Sequence, residues 1–529
     1  MSEDRPADPP PFAGGPGPGT PPYGGPPQYG GPPPQYGGAP QYGGAPQYGG
    51  APQYGAGGEY LGAGPGFPPD ATPRRRRRRM VWAGVAVGTV VVLAAGGVTA
   101  YSLLSGSGTT LDKLAPVDAV AYAEVNLDPP AGQKVAALRY LKHFPDLKVD
   151  TNAKNIVDGL IEPLFSDPKD RQRFVENVRP WLGDHAAVIG DPQDGKVRPV
   201  VLIEATDAGK AKTGLSTLAK DEDFGFVISG KTAVIAETQQ IAQRTVDDAA
   251  AGSLADSKAY HDDVQAVGGD GGIVTAWADI AKAAKYLPVP SDTKIPALAH
   301  GRLAASLRFT DTTVDLVLKV FGEGVAKPAA PVGSRLANLP DDTALAVGLT
   351  GGDEMVRTAI EQLHTAGLDS ILAQAQDGLG LALPDDLAAL VGSETAVAMG
   401  GTAAQPAFGM VTKTSEVTRA HAVAQKLASQ IGLPSEIGLL KTADGIVLAS
   451  SPEYATKLTG NGGLGGTERF RSALPDLSSA QFAAFVDVPK LTTLVGEALP
   501  PGAEPVQAVG VTMSAAGNVA TMHLRVVVG

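Results

Sequence analysis

The sequence predicts an α+β fold: two homologous antiparallel-sheet domains with helices packed on one face, preceded by a disordered Pro/Gly/Tyr-rich tail and one transmembrane helix. Three observations carry this expectation. Composition changes abruptly within the first 110 residues, a run of six arginines abuts an uncharged apolar stretch, and the rest of the 529-residue chain matches itself at an offset of roughly 205 to 225.

Residues 1–73 hold 20 of the 44 Pro, 20 of the 67 Gly and seven of the 13 Tyr, and almost no aliphatic side chains. Such a segment cannot bury enough apolar surface to offset its ordering entropy, so it reads as a disordered low-complexity tail. Tyr23, Tyr29, Tyr36, Tyr42, Tyr48, Tyr54 and Tyr60 recur every six residues with one spacing of seven. The repeat suits either self-association through Tyr or a plain solvated tail.

Arg74, Arg75, Arg76, Arg77, Arg78 and Arg79 form a polyarginine stop (74–79), and Met80 to Leu104 follow without a charge. At about 1.5 Å per residue this stretch spans roughly 37 Å, enough to cross a hydrocarbon core of about 30 Å as a helix over 80–104. Trp82 and Tyr101 stand near its two ends, where amphipathic rings favour the headgroup level. The positive-inside rule then keeps residues 1–79 cytoplasmic and places 105–529 outside, in a single-pass cell-membrane protein. Val98-Thr99-Ala100 leaves open a rival reading, cleavage after Ala100. Gly84 and Gly88 give a small-xxx-small spacing that could support self-association of the helix, as the tail could.

After a linker at 105–109, a first repeat (110–325), a second linker (326–333) and a second repeat (334–529) share one order of elements. Pro116-Val117-Asp118, a strand and a helix are echoed by Pro340-Asp341-Asp342, a strand and a helix. Leu182 to Val188 is echoed by Val391 to Val397, and Pro199 by Pro406. The clearest repeat signature is Trp277, Asp279 and Lys282 against Phe485, Asp487 and Lys490, an aromatic-x-Asp-aliphatic-x-Lys unit. Each copy ends in a hairpin. Strands and helices mix without the alternation of a parallel sheet, which gives the α+β class.

Charge and motif exclude several functions. Removing the seven basic and five acidic residues of 1–79 leaves 36 basic and 50 acidic, a net of −14. That is the wrong sign for a nucleic-acid ligand. The chain has no Cys, which removes disulfide scaffolds, thiolate metal sites and Cys nucleophiles. Gly225 to Thr232 satisfies G-x4-G-K-[ST], but its x positions are an apolar strand and another strand follows, so it reads as a hairpin turn rather than a phosphate loop. His261-Asp262-Asp263 is the one compact cluster of metal-ligand types among seven scattered His, and its counterpart near Phe470-Arg471-Ser472 carries no ligands. No nucleophile elbow stands in the exterior part. Asp279 and Asp487 could be paired acids, but an Asp that opens a helix more simply caps it. The residues therefore name no catalytic, cofactor or metal site. They point to a membrane-tethered binding module with an unknown exterior protein partner, with two alternatives: a lipid or hydrophobic-ligand carrier, which requires an apolar cavity between sheet and helices, and a cryptic envelope hydrolase, which requires a close Ser/His/Asp or dicarboxylate cluster.

The exterior opening, Leu114-Ala115-Pro116-Val117-Asp118-Ala119-Val120-Ala121-Tyr122-Ala123-Glu124-Val125-Asn126-Leu127-Asp128-Pro129, with Ala131-Gly132-Gln133-Lys134 after it, resembles the actinobacterial envelope proteins grouped as domain of unknown function 3352. The resemblance covers essentially residues 110–529. It implies a single-pass membrane protein of a Gram-positive, high-GC bacterium, and it brings no activity or catalytic residues with it.

Overall fold

A computed structural model of the chain describes residues 111–127, 131–144, 167–286, 301–323, 330–430, 437–460, 462–500 and 502–529, all within one structural unit of residues 71–529. The expected tail, polyarginine stop and membrane span, with Arg74 to Arg79, Trp82 and Tyr101, lie outside the described residues. Among the described residues no helix is long and apolar enough to cross a membrane.

The first copy opens with a 3-10 turn (Leu111–Leu114) and runs β1 (Ala121–Asn126), α1 (Ala131–Leu141), α2 (Pro168–Asn177), β2 (Leu182–Gln193), β3 (Lys196–Ala205), α3 (Ala208–Leu218), β4 (Gly225–Ser229), β5 (Thr232–Ala236), α4 (Gln239–Ala251), α5 (Lys258–Ala266), β6 (Val274–Asp279), α6 (Ile280–Ala283), β7 (Arg302–Phe309) and β8 (Thr313–Phe321). The second runs α7 (Gly333–Ala337), β9 (Leu345–Thr350), α8 (Gly352–Thr365), α9 (Asp369–Leu379), α10 (Asp385–Val391), β10 (Glu394–Thr402), β11 (Gln405–Lys413), α11 (Val417–Gln430), β12 (Gly438–Lys441), β13 (Gly445–Ala449), α12 (Pro452–Thr459), α13 (Glu468–Ala473), β14 (Phe482–Asp487), α14 (Val488–Val495), β15 (Val506–Ala516) and β16 (Val519–Val528). The helix starts follow local chemistry. Asp167, Asp207, Thr238 and Ser451 each accept a bond from a first-turn backbone N–H, and α2 and α12 begin at Pro.

Both copies contribute to one 16-stranded sheet, ordered β12-β13-β11-β10-β9-β14-β15-β16-β8-β7-β6-β1-β2-β3-β5-β4, and every pairing among the described strands is antiparallel. The order reads the same from either end once equivalent strands are matched. Following partners from Val274 to Leu307 to Leu316 in the first copy, and from Phe482 to Met513 to Met522 in the second, makes Val317 the counterpart of His523. These two residues lie opposite each other where β8 pairs with β16. A pseudo-two-fold axis therefore passes through this seam. The same tracing sets Pro199 against Phe408, two residues from the Pro406 that sequence matching gives.

Helices occupy both faces, which corrects the expectation of one. On the front face Tyr122, Ile189, Leu202 and Trp277 pack with α4 and α5, and Ala346, Ala396 and Phe485 pack with α7, α12 and α13. On the back face α1 packs on Val274, Leu307 and Phe309, α2 and α3 pack near Ile203, Ala233 and Ile235, and α11 packs on Ile446 and Leu439. The reason is local: outer strands such as β5 and β13 are apolar on both sides, so both sides need cover. Val332 is fully buried, so the residues that end the expected second linker already belong to the second core.

Across the seam Arg525 lies in register with Asp315, and its Nη2 donates to Asp315 Oδ2 at 2.7 Å. A double-mutant cycle on Arg525→Ala and Asp315→Ala should give a coupling of about 1 kcal/mol, since both side chains are largely covered. Additive losses in chemical denaturation would contradict the pairing.

Candidate functional site

The repeat signature is architectural in both copies. Asp279 accepts from Lys282 N at 2.8 Å and Asp487 from Lys490 N at 3.1 Å, so each caps the helix that follows its strand. The lysines then reach equivalent carbonyls ahead of each copy's first strand: Lys282 Nζ donates to Val117 O at 3.4 Å and Lys490 Nζ to Asp341 O at 2.5 Å. The aromatics pack edge-to-face on a helix, Trp277 on Tyr260 at 5.6 Å and Phe485 on Phe470 at 5.1 Å. β6 and β14 stand five strands apart, roughly 24 Å, so Asp279 and Asp487 are not brought together as an acid pair.

The other sequence motifs resolve into structure. Gly225 to Thr232 runs along β4, around the turn and into β5. His261, Asp262 and Asp263 divide: the His261 ring contacts Ala255 O at 2.7 Å, Lys258 Nζ donates to Asp262, and buried Asp263 accepts from Trp277 Nε1 at 2.9 Å and Arg302 Nε at 2.6 Å. The edge-to-face aromatics align Tyr260 with Phe470, which puts Ala473 where Asp263 stands. Among the described residues no group of three or more His, Asp or Glu could hold a metal ion.

The first copy carries two buried polar networks that sequence reasoning missed. On the front face Tyr122 Oη donates to Glu124 Oε2, and Glu124 Oε1 contacts His185 Nδ1 at 2.6 Å. Burial, and next the Glu124 charge, raise the Tyr122 phenol well above its ordinary 10.0. The second copy has Ala346, Gly348 and Glu394 at these positions by register. A Cβ on Gly348 would stand 2.3 Å from Leu336 Cδ1, so α7 fills the space that Glu124 occupies in the first copy. Glu394 instead pairs with Arg335 at 3.2 Å. Tyr122, Glu124 and His185 are each at most 3% exposed, which makes this a core network rather than an open catalytic site. In the second network, Asp191 accepts from Thr245 Oγ1 and Gln193 Nε2, each at 2.6 Å. A signal for both was available: polar residues at inward positions of strands that otherwise alternate.

The surface feature with the right character for recognition is on the back face of the second copy. In the first copy Val125, Val274, Leu307 and Phe309 are buried, and α1 lies on the last three of them. Gln133 holds α1 there by bonding both backbone groups of Phe309, at 2.9 and 3.0 Å. The counterparts Leu349 and Phe482 are only half-buried and Met513 is 44% exposed. The register continues this strip without interruption: Val347 opposite Val397, and Met399 opposite Phe408, which is 48% exposed. No charged side chain shares this face along β9, β14 or the middle of β10 and β11. In the first copy the matching floor of Ala121, Ala123, Val188, Gly190, Val197 and Pro199 is a shallow apolar depression of about 220 Å³. A polar groove of about 470 Å³ runs between α2 and α3, past Glu176, Trp181, Asp207 and Lys210.

No family model and no curated protein matches the chain. Solved structures with some likeness include TP0453 in crystal form I, at 9% identity and a TM-score of 0.22 over 42% of this chain and 82% of that one. Crystal form IV gives 10% identity and a TM-score of 0.20 over 39% and 80%. Likeness at this level carries no argument.

The networks give two predictions. Asp263→Asn, which weakens the hold on Arg302 and Trp277, should cost about 2 kcal/mol in chemical denaturation; a change within error would show that the buried ion pair contributes nothing. Burial holds the Asp191 carboxyl above its ordinary 3.8, with the Thr245 and Gln193 bonds opposing the shift. The folded state therefore binds this proton more tightly than the unfolded chain. Its contribution is complete below the unfolded value and is lost as pH rises through the folded one. The stability of wild type minus that of Asp191→Asn should fall as pH rises above the ordinary carboxylate range and through the raised folded value, and a flat difference would refute the assignment.

Proposed function

We propose that the chain is a single-pass cell-envelope protein, N-in and C-out, whose duplicated exterior is a non-catalytic binding module, and that it takes a protein partner on the back-face strip of the second copy. Membership of the domain of unknown function 3352 family is part of the proposal, and it rests on the opening strand and the residues after it. The observation that supports the binding reading most is the uncharged strip with Phe408 and Met513 in solvent. Interface cores are depleted in charge and enriched in aromatic and Met side chains, and a contiguous apolar patch on a soluble surface commonly marks an interaction site. The net charge of −14 outside the membrane favours a partner with a basic rim. Asp279 and Asp487 are engaged as caps, and the Glu124 network is sealed in the core.

The carrier reading keeps one supporting observation, the apolar depression on the first copy. At about 220 Å³ it is smaller and more open than the roughly 300–1,000 Å³ of common ligand pockets.

A photo-crosslinking residue placed at Phe408 or Met513 of the full-length protein in intact cells should give one discrete protein adduct, absent when the residue stands at exposed Lys212 on α3. The same adducts from all three positions, or none from the strip, would remove the reading. Adducts to lipid alone would favour the carrier.

A further inference from the structure

We infer that α8 and α9 form a hinged cover for this strip and that the structure shows the cover open. The internal duplication supplies the closed arrangement. In chain order α1 follows β1 as α8 follows β9, yet the two helices end in different places. α1 lies on the back face, with Tyr140 5.2 Å from the Phe309 ring and Arg139 bonded to Asp311 at 2.6 Å. α8 leans away from the sheet onto α10, where Arg357 pairs with Asp385 and stands 3.8 Å from Glu416.

The open arrangement leaves apolar surface wet on both sides. Met355 of α8 is 62% exposed and Ile371 of α9 is 57% exposed, while the strip they would meet holds Met513, 44% exposed, and Phe482, only half-buried. Closing would remove both surfaces from water together. The pair is also built to pivot. Gly351 precedes α8 at φ +69°, Gly367 separates the helices at φ +73° and Gly380 ends α9 at φ +60°. The corresponding connection ahead of α1 is Asp128-Pro129-Pro130, a sequence of restricted freedom. Its charge argues against a lipid surface as the occupant. Asp353, Glu354, Glu361, Asp369 and Asp377 on α8 and α9 outnumber their one Arg, Arg357, so an anionic membrane would repel the pair. The cover goes beyond the partner proposal, and it would compete with a partner for the same side chains.

The chain's lack of Cys makes the test clean. The sequence echo matches Met355 to Gln133 and strand register matches Ala515 to Phe309, so on closure in the full-length protein Met355→Cys with Ala515→Cys should form a disulfide under mild oxidation. Arg357→Cys with Asp385→Cys should lock the open form instead. In otherwise native protein, Arg357→Ala should favour closure and slow peroxide oxidation of Met513 by about threefold. Quantitative Arg357–Asp385 crosslinking with no Met355–Ala515 crosslink, or an unchanged Met513 rate in a folded Arg357→Ala variant, would overturn the cover. Neither result bears on whether a partner crosslinks at Phe408.

Discussion

The hydrogen-bonded seam between β8 and β16 is the constraint on which the rest of the structure depends. Each copy ends in a long hairpin whose last strand would otherwise be an open edge, with unpaired N–H and C=O groups able to recruit another chain. The copies remove that liability by pairing their last strands with each other over nine residues a side, from Val519 opposite Phe321 to Val527 opposite Thr313. The outermost strands are then the short β4 and β12. At β4, Gln239 Oε1 caps the Phe226 amide at 3.1 Å, which blunts that edge. Because the seam is antiparallel and nearly symmetric, it sets one front face and one back face for both copies, and it places α1 partly over the second copy, against Val506 and Val528.

Within that frame the two halves share a scaffold and differ in contents. The Asp cap, the Lys tie to the preceding carbonyl and the edge-to-face aromatic pair recur, because each fixes how a strand leaves the sheet and enters a helix. The interior does not recur. Tyr122, Glu124, His185 and Asp191 give the first copy a polar core, where the second has Ala346, Gly348, Glu394 and Gly400. Buried polar groups that are fully bonded specify one arrangement of a core, and a single missing partner is costly. The first copy thus has the more extensively bonded polar core, with Gln193 Oε1 in it left without a partner among the described residues. The second, with a simpler core and a displaced helix, carries the exposed strip.

Much of this was legible in the sequence. Period-two apolar runs around Ser229-Gly230 and Ala443-Asp444-Gly445 fixed the hairpins, and the aromatic-x-Asp-x-x-Lys echo pointed to two halves with one order of elements. Asp279 and Asp487 act as the caps that their position before a helix suggests. The shared sheet was not legible, because pairing between β8 and β16 is a contact far apart in sequence that no local pattern encodes. Helix placement on both faces was missed for a similar reason: Ala233 and Ile235 on one side and Val234 on the other read only as a buried strand. The strip was hidden because Phe408, Val397 and Met513 look like core in any periodicity argument. Only the absence of a covering helix distinguishes them from Leu307 and Val274.

The most direct test is amide hydrogen exchange across the seam in the full-length protein. If the copies share one sheet, the amides of 313–321 and 519–527 should exchange as slowly as those of β2 and β3 and far more slowly than the outer strand β4. Exchange of both seam strands at the rate of β4 would mean two separate sheets, and the account of a common back face would fail.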